Sequence, residues 1–113
     1  MIALVLCEAA GPSLSGEVID GIRVVKVTAM QYKFNPDPVI VKKGEKVRLV
    51  VTSADVEHGL SITEFNVAVV IPALKTVTVE FTPDKAGTFR IFCSVYCGSG
   101  HSMMQGKLIV NEN

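Results

Sequence analysis

Net charge is the first thing missing from this chain. Eleven Lys and Arg offset eleven Asp and Glu. No basic stripe stands out, so a nucleic-acid partner is not expected. Charge is also sparse, at 19% of residues against 49% apolar, and that balance excludes intrinsic disorder for most of the chain. Long apolar runs are missing as well. The longest near the start, Ile2–Cys7, is six residues, where a membrane-spanning helix needs about 20. It is too short for a complete signal peptide and has no basic flank. It reads either as the remnant of a targeting or anchoring segment or as an ordinary first strand. Cysteine is scarce and odd in number: Cys7, Cys93 and Cys97 do not all pair within one molecule. A disulfide scaffold is therefore not the organising principle. The 113 residues suffice for one hydrophobic core without covalent staples.

What is present is β patterning from Ile22 onward. Lys46–Val51 places Val47, Leu49 and Val51 on one face. Thr76–Phe81 does the same with Val77, Val79 and Phe81, and Thr88–Cys93 with Phe89, Ile91 and Cys93. A period of two marks half-buried strands. Further strands are expected at Arg23–Ala29, Val39–Lys42, Leu60–Thr63, Val67–Ile71 and Lys107–Val110. Turn chemistry separates them: Asn35-Pro36-Asp37-Pro38, Lys43-Gly44-Glu45, Ile71-Pro72-Ala73 and Thr82–Gly87. No amphipathic helix, internal repeat or linker interrupts this. The expected fold is all-β, a sandwich of six to eight short strands over residues 22–113, preceded by an N-terminal segment over residues 1–21.

The stretch that carries chemistry is Cys93-Ser94-Val95-Tyr96-Cys97-Gly98-Ser99-Gly100-His101-Ser102-Met103-Met104. Two thiols, an imidazole and a thioether fall at Cys-x3-Cys-x3-His-x2-Met, all soft or borderline donors that favour copper or zinc over magnesium or calcium. The segment lies between two expected strands, so it is a loop at one end of the sandwich. Fully extended, neighbouring ligands would stand about 13 Å apart. The loop must fold back, and Gly98 and Gly100 supply backbone freedom for it. His58, between the Val47–Val51 strand and Leu60–Thr63, can reach the same end; the chain has no third histidine.

Singly, each residue has an ordinary reading. The cysteines could form a short-loop disulfide or sit as buried thiols, His58 could be a surface histidine, and Met104 could pack the core. Their joint occurrence favours a metal site. Three occupants stay open at this point. A tetrahedral zinc would use Cys93, Cys97, His101 and His58 and leave Met104 idle. A single blue copper would use His58, Cys97, His101 and Met104 and leave Cys93 over. Two coppers bridged by both thiolates would use every donor.

With those residues in place, Arg23 to Val110 resembles the binuclear copper (CuA) domain of cytochrome c oxidase subunit II, closest to the B-family (ba-type) haem-copper oxidases. The carrying motifs are Asp55-Val56-Glu57-His58-Gly59, Pro83–Phe92 and Cys93–Gly106. The resemblance implies a cupredoxin-like Greek-key sandwich or barrel on the extracytoplasmic (periplasmic) face of a membrane, anchored in its full-length form. It implies two copper ions, with Cys93 and Cys97 as bridging thiolates and His58 and His101 as terminal imidazoles. Met104 would be the axial donor to one copper and the Val95 carbonyl the weak donor to the other. Electrons would come from cytochrome c or a small copper protein and pass to the haem-copper subunit I; the chain would not be catalytic on its own.

Departures from the family pattern carry expectations too. Valine at 95 stands where many members have Glu, so no magnesium is expected at the subunit junction. The chain has no Trp; many members place one near Met30–Phe34, and Tyr32 or Phe34 would fill that space. Met103 and Tyr96 are expected on a partner-docking surface near His101, with Asp55, Glu57 and Glu64 as an acidic rim. A free-standing copper-binding or copper-delivery cupredoxin, with a mononuclear or binuclear site, is the alternative. A reductase module for nitrous or nitric oxide would need further domains.

Overall fold

The computed structural model describes residues 13–112; Ile2–Cys7, and any pairing of Cys7, lie outside them. Ten strands follow in order: β1 (Glu17–Ile19), β2 (Ile22–Met30), β3 (Lys33–Asn35), β4 (Val39–Lys42), β5 (Val47–Ser53), β6 (His58–Ile62), β7 (Val67–Ile71), β8 (Thr76–Phe81), β9 (Gly87–Phe92) and β10 (Gln105–Asn111). Two short 3-10 turns, Thr63–Phe65 and His101–Met103, are the helical pieces among the described residues. No described helix is long and apolar enough to cross a membrane.

The strands form two five-stranded sheets. One has the order β1-β2-β5-β8 with β3 also on β2; the other is β4-β10-β9-β6-β7. Most pairs are antiparallel. β2 and β5, however, run parallel from Arg23↔Val47 to Ala29↔Ser53, and β4 runs parallel to β10. A parallel pair needs a crossover. The chain supplies it by leaving the first sheet after β3, adding β4 to the second sheet, and returning as β5.

The core lies between the sheets. Alternation buries Val25, Val27 and Ala29 of β2 and Val47, Leu49 and Val51 of β5 against Leu60, Ile62, Ile91, Leu108 and Val110 of the other sheet. Val77 and Val79 are only half-buried, because β8 is a sheet edge. β6 does not alternate. All five of its residues are buried, because Ser94 and Val95 lie over Gly59 on its outer side. The expected strand over Leu60–Thr63 accordingly begins two residues earlier, at His58, and Thr63 starts a 3-10 turn.

β1 and β3 were not expected, and each is three residues long. Both hairpin onto β2, with Glu17↔Val24 and Ala29↔Phe34 among their pairs. Strand polarity then gathers the chemistry at one end. β2 and β5 finish there, β6 starts there with His58 opposite Ile71 of β7, and the connection between β9 and β10 spans residues 93–104.

Candidate metal centre

The loop of residues 93–104 is closed at its base. Phe92 of β9 pairs with Gln105 of β10, and the Cys93 N–H donates to the Met104 carbonyl at 3.2 Å. Cys93 and Met104 thus sit side by side at the neck although ten residues separate them. Inside the loop the chain folds back so that the Cys93 and Cys97 Sγ atoms are 3.5 Å apart. Both cysteines are free thiols and buried.

The remaining sequence-predicted donors surround this pair. His58 Nδ1 lies 3.9 Å from Cys93 Sγ, and His101 Nδ1 lies 3.7 Å from Cys97 Sγ. The Cys93 thiol faces the Val95 carbonyl at 3.1 Å, and Met104 Sδ is 3.7 Å from Cys97 Sγ. One nitrogen and one weak donor therefore stand beside each sulfur. His58, Cys93 and Cys97 alone already place their donor atoms within 4.8 Å of one another. An ion about 2.3 Å from sulfur and 2.0 Å from imidazole nitrogen spans sulfur–nitrogen gaps of up to roughly 4.3 Å. Both gaps fall within that reach, so the residues present fit a thiolate–imidazole metal.

Met103 and Met104 separate cleanly. Met104 is 1% exposed and faces the sulfurs, whereas Met103 is 78% exposed on the 3-10 turn. The two glycines play different parts. Gly98 has φ +137, a backbone conformation that L side chains rarely adopt. Gly100 does not, with φ −93; its need is space, because a Cβ there would run into the Tyr32 ring. Tyr32 therefore occupies the region under the loop, and Phe34 is a core residue at 2% exposure.

Residues outside the donor set hold the donors in place. His58 is fully buried, and its Nε2 donates to Asp55 Oδ1 at 2.7 Å. In the neutral ring that bond places the proton on Nε2, so that Nδ1, the nitrogen on the thiol side, is the one free to ligate a metal. Asp55 also accepts from the Gln31 and Val56 backbone N–H groups. Desolvation works to raise its pKa, but the hydrogen bonds from Gln31, His58 and Val56 outweigh it and hold the carboxylate below its ordinary range. Ser53, at the end of β5, accepts from the Asp55 N–H and donates to the Val56 carbonyl, fixing the turn. The signal available in sequence was the Asp-x2-His spacing alone.

The proposed acidic rim needs correction at Glu64. β6 carries the chain roughly 13 Å from His58 to Ile62. Glu64 lies beyond it, next to Phe65, whose ring packs against Phe89 at 4.8 Å. It belongs to the opposite end of the sheet. Four exposed apolar side chains, by contrast, lie at the metal end. Val56, Leu74, Tyr96 and Met103 are all exposed, and the Tyr96 ring is 5.6 Å from that of His101.

The family model for cupredoxin-like domains matches residues 1–110, and the chain belongs to that family. Cytochrome c oxidase subunit 2 of Thermus thermophilus is 35% identical over 88 residues, 78% of this chain and 65% of that protein. Nitrous-oxide reductase of Cupriavidus necator is 33% identical over 104 residues, 88% of this chain but 16% of that enzyme. The chain thus spans less than two thirds of either relative. The periplasmic domain of subunit II of cytochrome oxidase from Bradyrhizobium japonicum superposes with a TM-score of 0.73 over 80% of this chain and 84% of that one, at 22% identity. That match speaks to the fold. The family and the thiolate–imidazole–thioether donor set together support copper as the metal and electron transfer as its use.

Two outcomes follow. Asp55→Ala should weaken copper binding roughly 10–100-fold, the range for losing the partner of a ligating histidine, measured by competition with a chelator. An affinity within twofold of wild type would contradict the role given to Asp55. Burial first, then the Cys93 hydrogen bond and the nearby charges of Cys93 and Asp55, push the Cys97 thiol from 9.0 up to about 11. Between about pH 9 and about pH 11 the unfolded chain has therefore lost a proton that the folded metal-free protein still holds. Stability of the metal-free protein should fall across that window as pH rises. Urea titrations should show this decline lessened in Cys97→Ser; an identical decline in both proteins would contradict it.

Proposed function

We propose that this chain is the copper-bearing electron-transfer domain of a haem-copper terminal oxidase, holding a binuclear centre. The observation that carries the reading is the pair of buried thiols 3.5 Å apart, each with its own imidazole. A tetrahedral zinc gives Met104 nothing to do, yet its Sδ is held against Cys97. A single copper leaves Cys93 spare, yet His58 and the Val95 carbonyl both face it. Cys93 and Cys97 would hold both coppers, His58 and His101 would each hold one, and Met104 and the Val95 carbonyl would serve as weak donors. Two copper ions so held supply one-electron redox chemistry.

The protein contributes position and exclusion of water. His58 is sealed from solvent while His101 is half-buried, so the two sides of the centre differ in access. The His101 side meets the surface among Tyr96 and Met103, with Leu74 and Val56 at the same end of the sandwich. An apolar, weakly charged face of this kind suits brief docking of an electron donor, cytochrome c or a small copper protein. The acceptor would be the haem-copper subunit I. The similarity to oxidase subunit 2 supports this assignment, with a site on the extracytoplasmic side of a membrane and an anchor in the full-length form. The nitrous-oxide reductase similarity favours a second reading, in which the same centre feeds electrons to that kind of reductase. The larger share of the oxidase subunit that is covered, 65% against 16%, places it second.

The test is ligand removal with metal counting. Cys93→Ser should lose the two-copper form and retain at most one copper, on Cys97, His58, His101 and Met104. Two coppers retained in that variant would contradict the bridging assignment. Met104→Leu should keep two coppers and shift the reduction potential; complete loss of copper would make Met104 a structural anchor instead.

A further inference from the structure

A residue outside the donor set is hydrogen-bonded towards both halves of the centre. Gln31, in the turn between β2 and β3, uses its backbone N–H to hold Asp55 Oδ2 at 2.9 Å. Its side-chain Nε2 donates to the Cys97 carbonyl at 2.8 Å. Asp55 in turn holds His58 through its other oxygen. A continuous line of hydrogen bonds therefore runs His58–Asp55–Gln31–Cys97, joining the His58 turn to the 93–104 loop without passing through any metal. Tyr32 extends the same support: its ring lies where side chains on Gly98 and Gly100 would otherwise be, and Gln31 Nε2 borders the Gly98 space as well.

We infer that Gln31 is a positioning residue for the metal centre, setting the separation of the His58 turn from the Cys97 loop. The inference rests on reading His58 and Cys97 as ligands. The physical reason lies in how the two segments are attached. Residues 93–104 are anchored at the neck, where Cys93 meets Met104. Cys97 lies four residues past that neck, and the other side of the site is reached from β5 and β6. A brace from a third element fixes two such segments relative to each other more firmly than either neck does alone. A donor at this point is also specific: the Cys97 carbonyl accepts, so only a side chain that donates completes the line. Gln31 is itself an exposed residue, so replacing it leaves the core untouched.

The experiment compares Gln31→Met, which keeps length without a donor, and Gln31→Glu, which offers acceptors in its place, with Lys33→Met on the same hairpin as control. In the metal-free protein, hydrogen exchange is followed at the His101 and Met104 amides, which are bonded to the Gly98 and His101 carbonyls. Exchange at both should rise roughly 3- to 10-fold in the two Gln31 variants, the effect of one lost hydrogen bond of ordinary strength, and stay unchanged in the control. In the copper-loaded protein, release to a chelator should accelerate by a similar factor with copper per chain unchanged. Wild-type exchange in Gln31→Met would overturn the proposal. So would wild-type exchange in Gln31→Glu alone, since the role would then be packing. If wild type binds no copper, the ligand reading fails by itself, and the exchange data still decide whether Gln31 braces the loop.

Discussion

The metal end of this protein depends on the closure of one loop. Phe92 and Gln105 are the last and first residues of two neighbouring strands, and the Cys93–Met104 hydrogen bond shuts the gap between them. Without that neck, donors eleven positions apart in sequence would have no reason to meet. With it, the strand pairing that builds the sandwich also brings the two ends of the donor loop together, and part of the ordering entropy of that loop is met there. The sandwich behind it brings the ends of β2, β5, β6, β9 and β10 to one place.

The second constraint is burial. Drawing the Cys97 thiol out of water raises the free energy of its charged thiolate form and pushes its pKa up. A bound cation removes that cost by supplying charge where water cannot, so metal capture releases protons and becomes more favourable with rising pH. The Asp55 carboxylate addresses a different need. It fixes the tautomer of His58 from outside the donor set, and through Gln31 it ties that histidine to the backbone beside Cys97. Rigid donors of this kind limit rearrangement between oxidation states, which is what an electron-transfer protein contributes around its metal.

Alternation made most of the fold legible in the sequence. β4, β7 and β8 fall on the expected residues, and β2, β5, β9 and β10 differ by one or two residues at each end, where fraying and capping decide. β1 and β3 escaped because three residues do not define a period. β6 was misplaced at its start because loop residues cover its outer face, erasing the alternation that a half-buried strand shows. Five candidate donors, His58, Cys93, Cys97, His101 and Met104, could be listed from residue type and spacing, and the Val95 carbonyl from the family resemblance. Their supports could not: Gln31 meets Cys97 across 66 positions, a contact between elements of two different sheets. Glu64 illustrates the reverse error. Six residues from His58 looked near, but a strand turns six residues into most of the length of the sheet.

The central claim is that both thiols belong to one centre holding two coppers. It is tested most directly by the visible and near-infrared absorption spectrum of the copper-loaded, oxidised protein, with copper counted per chain. The account predicts two coppers per chain, a purple colour and a near-infrared band from a valence-delocalised pair. One copper with a blue colour, or a colourless protein that keeps zinc, would contradict it.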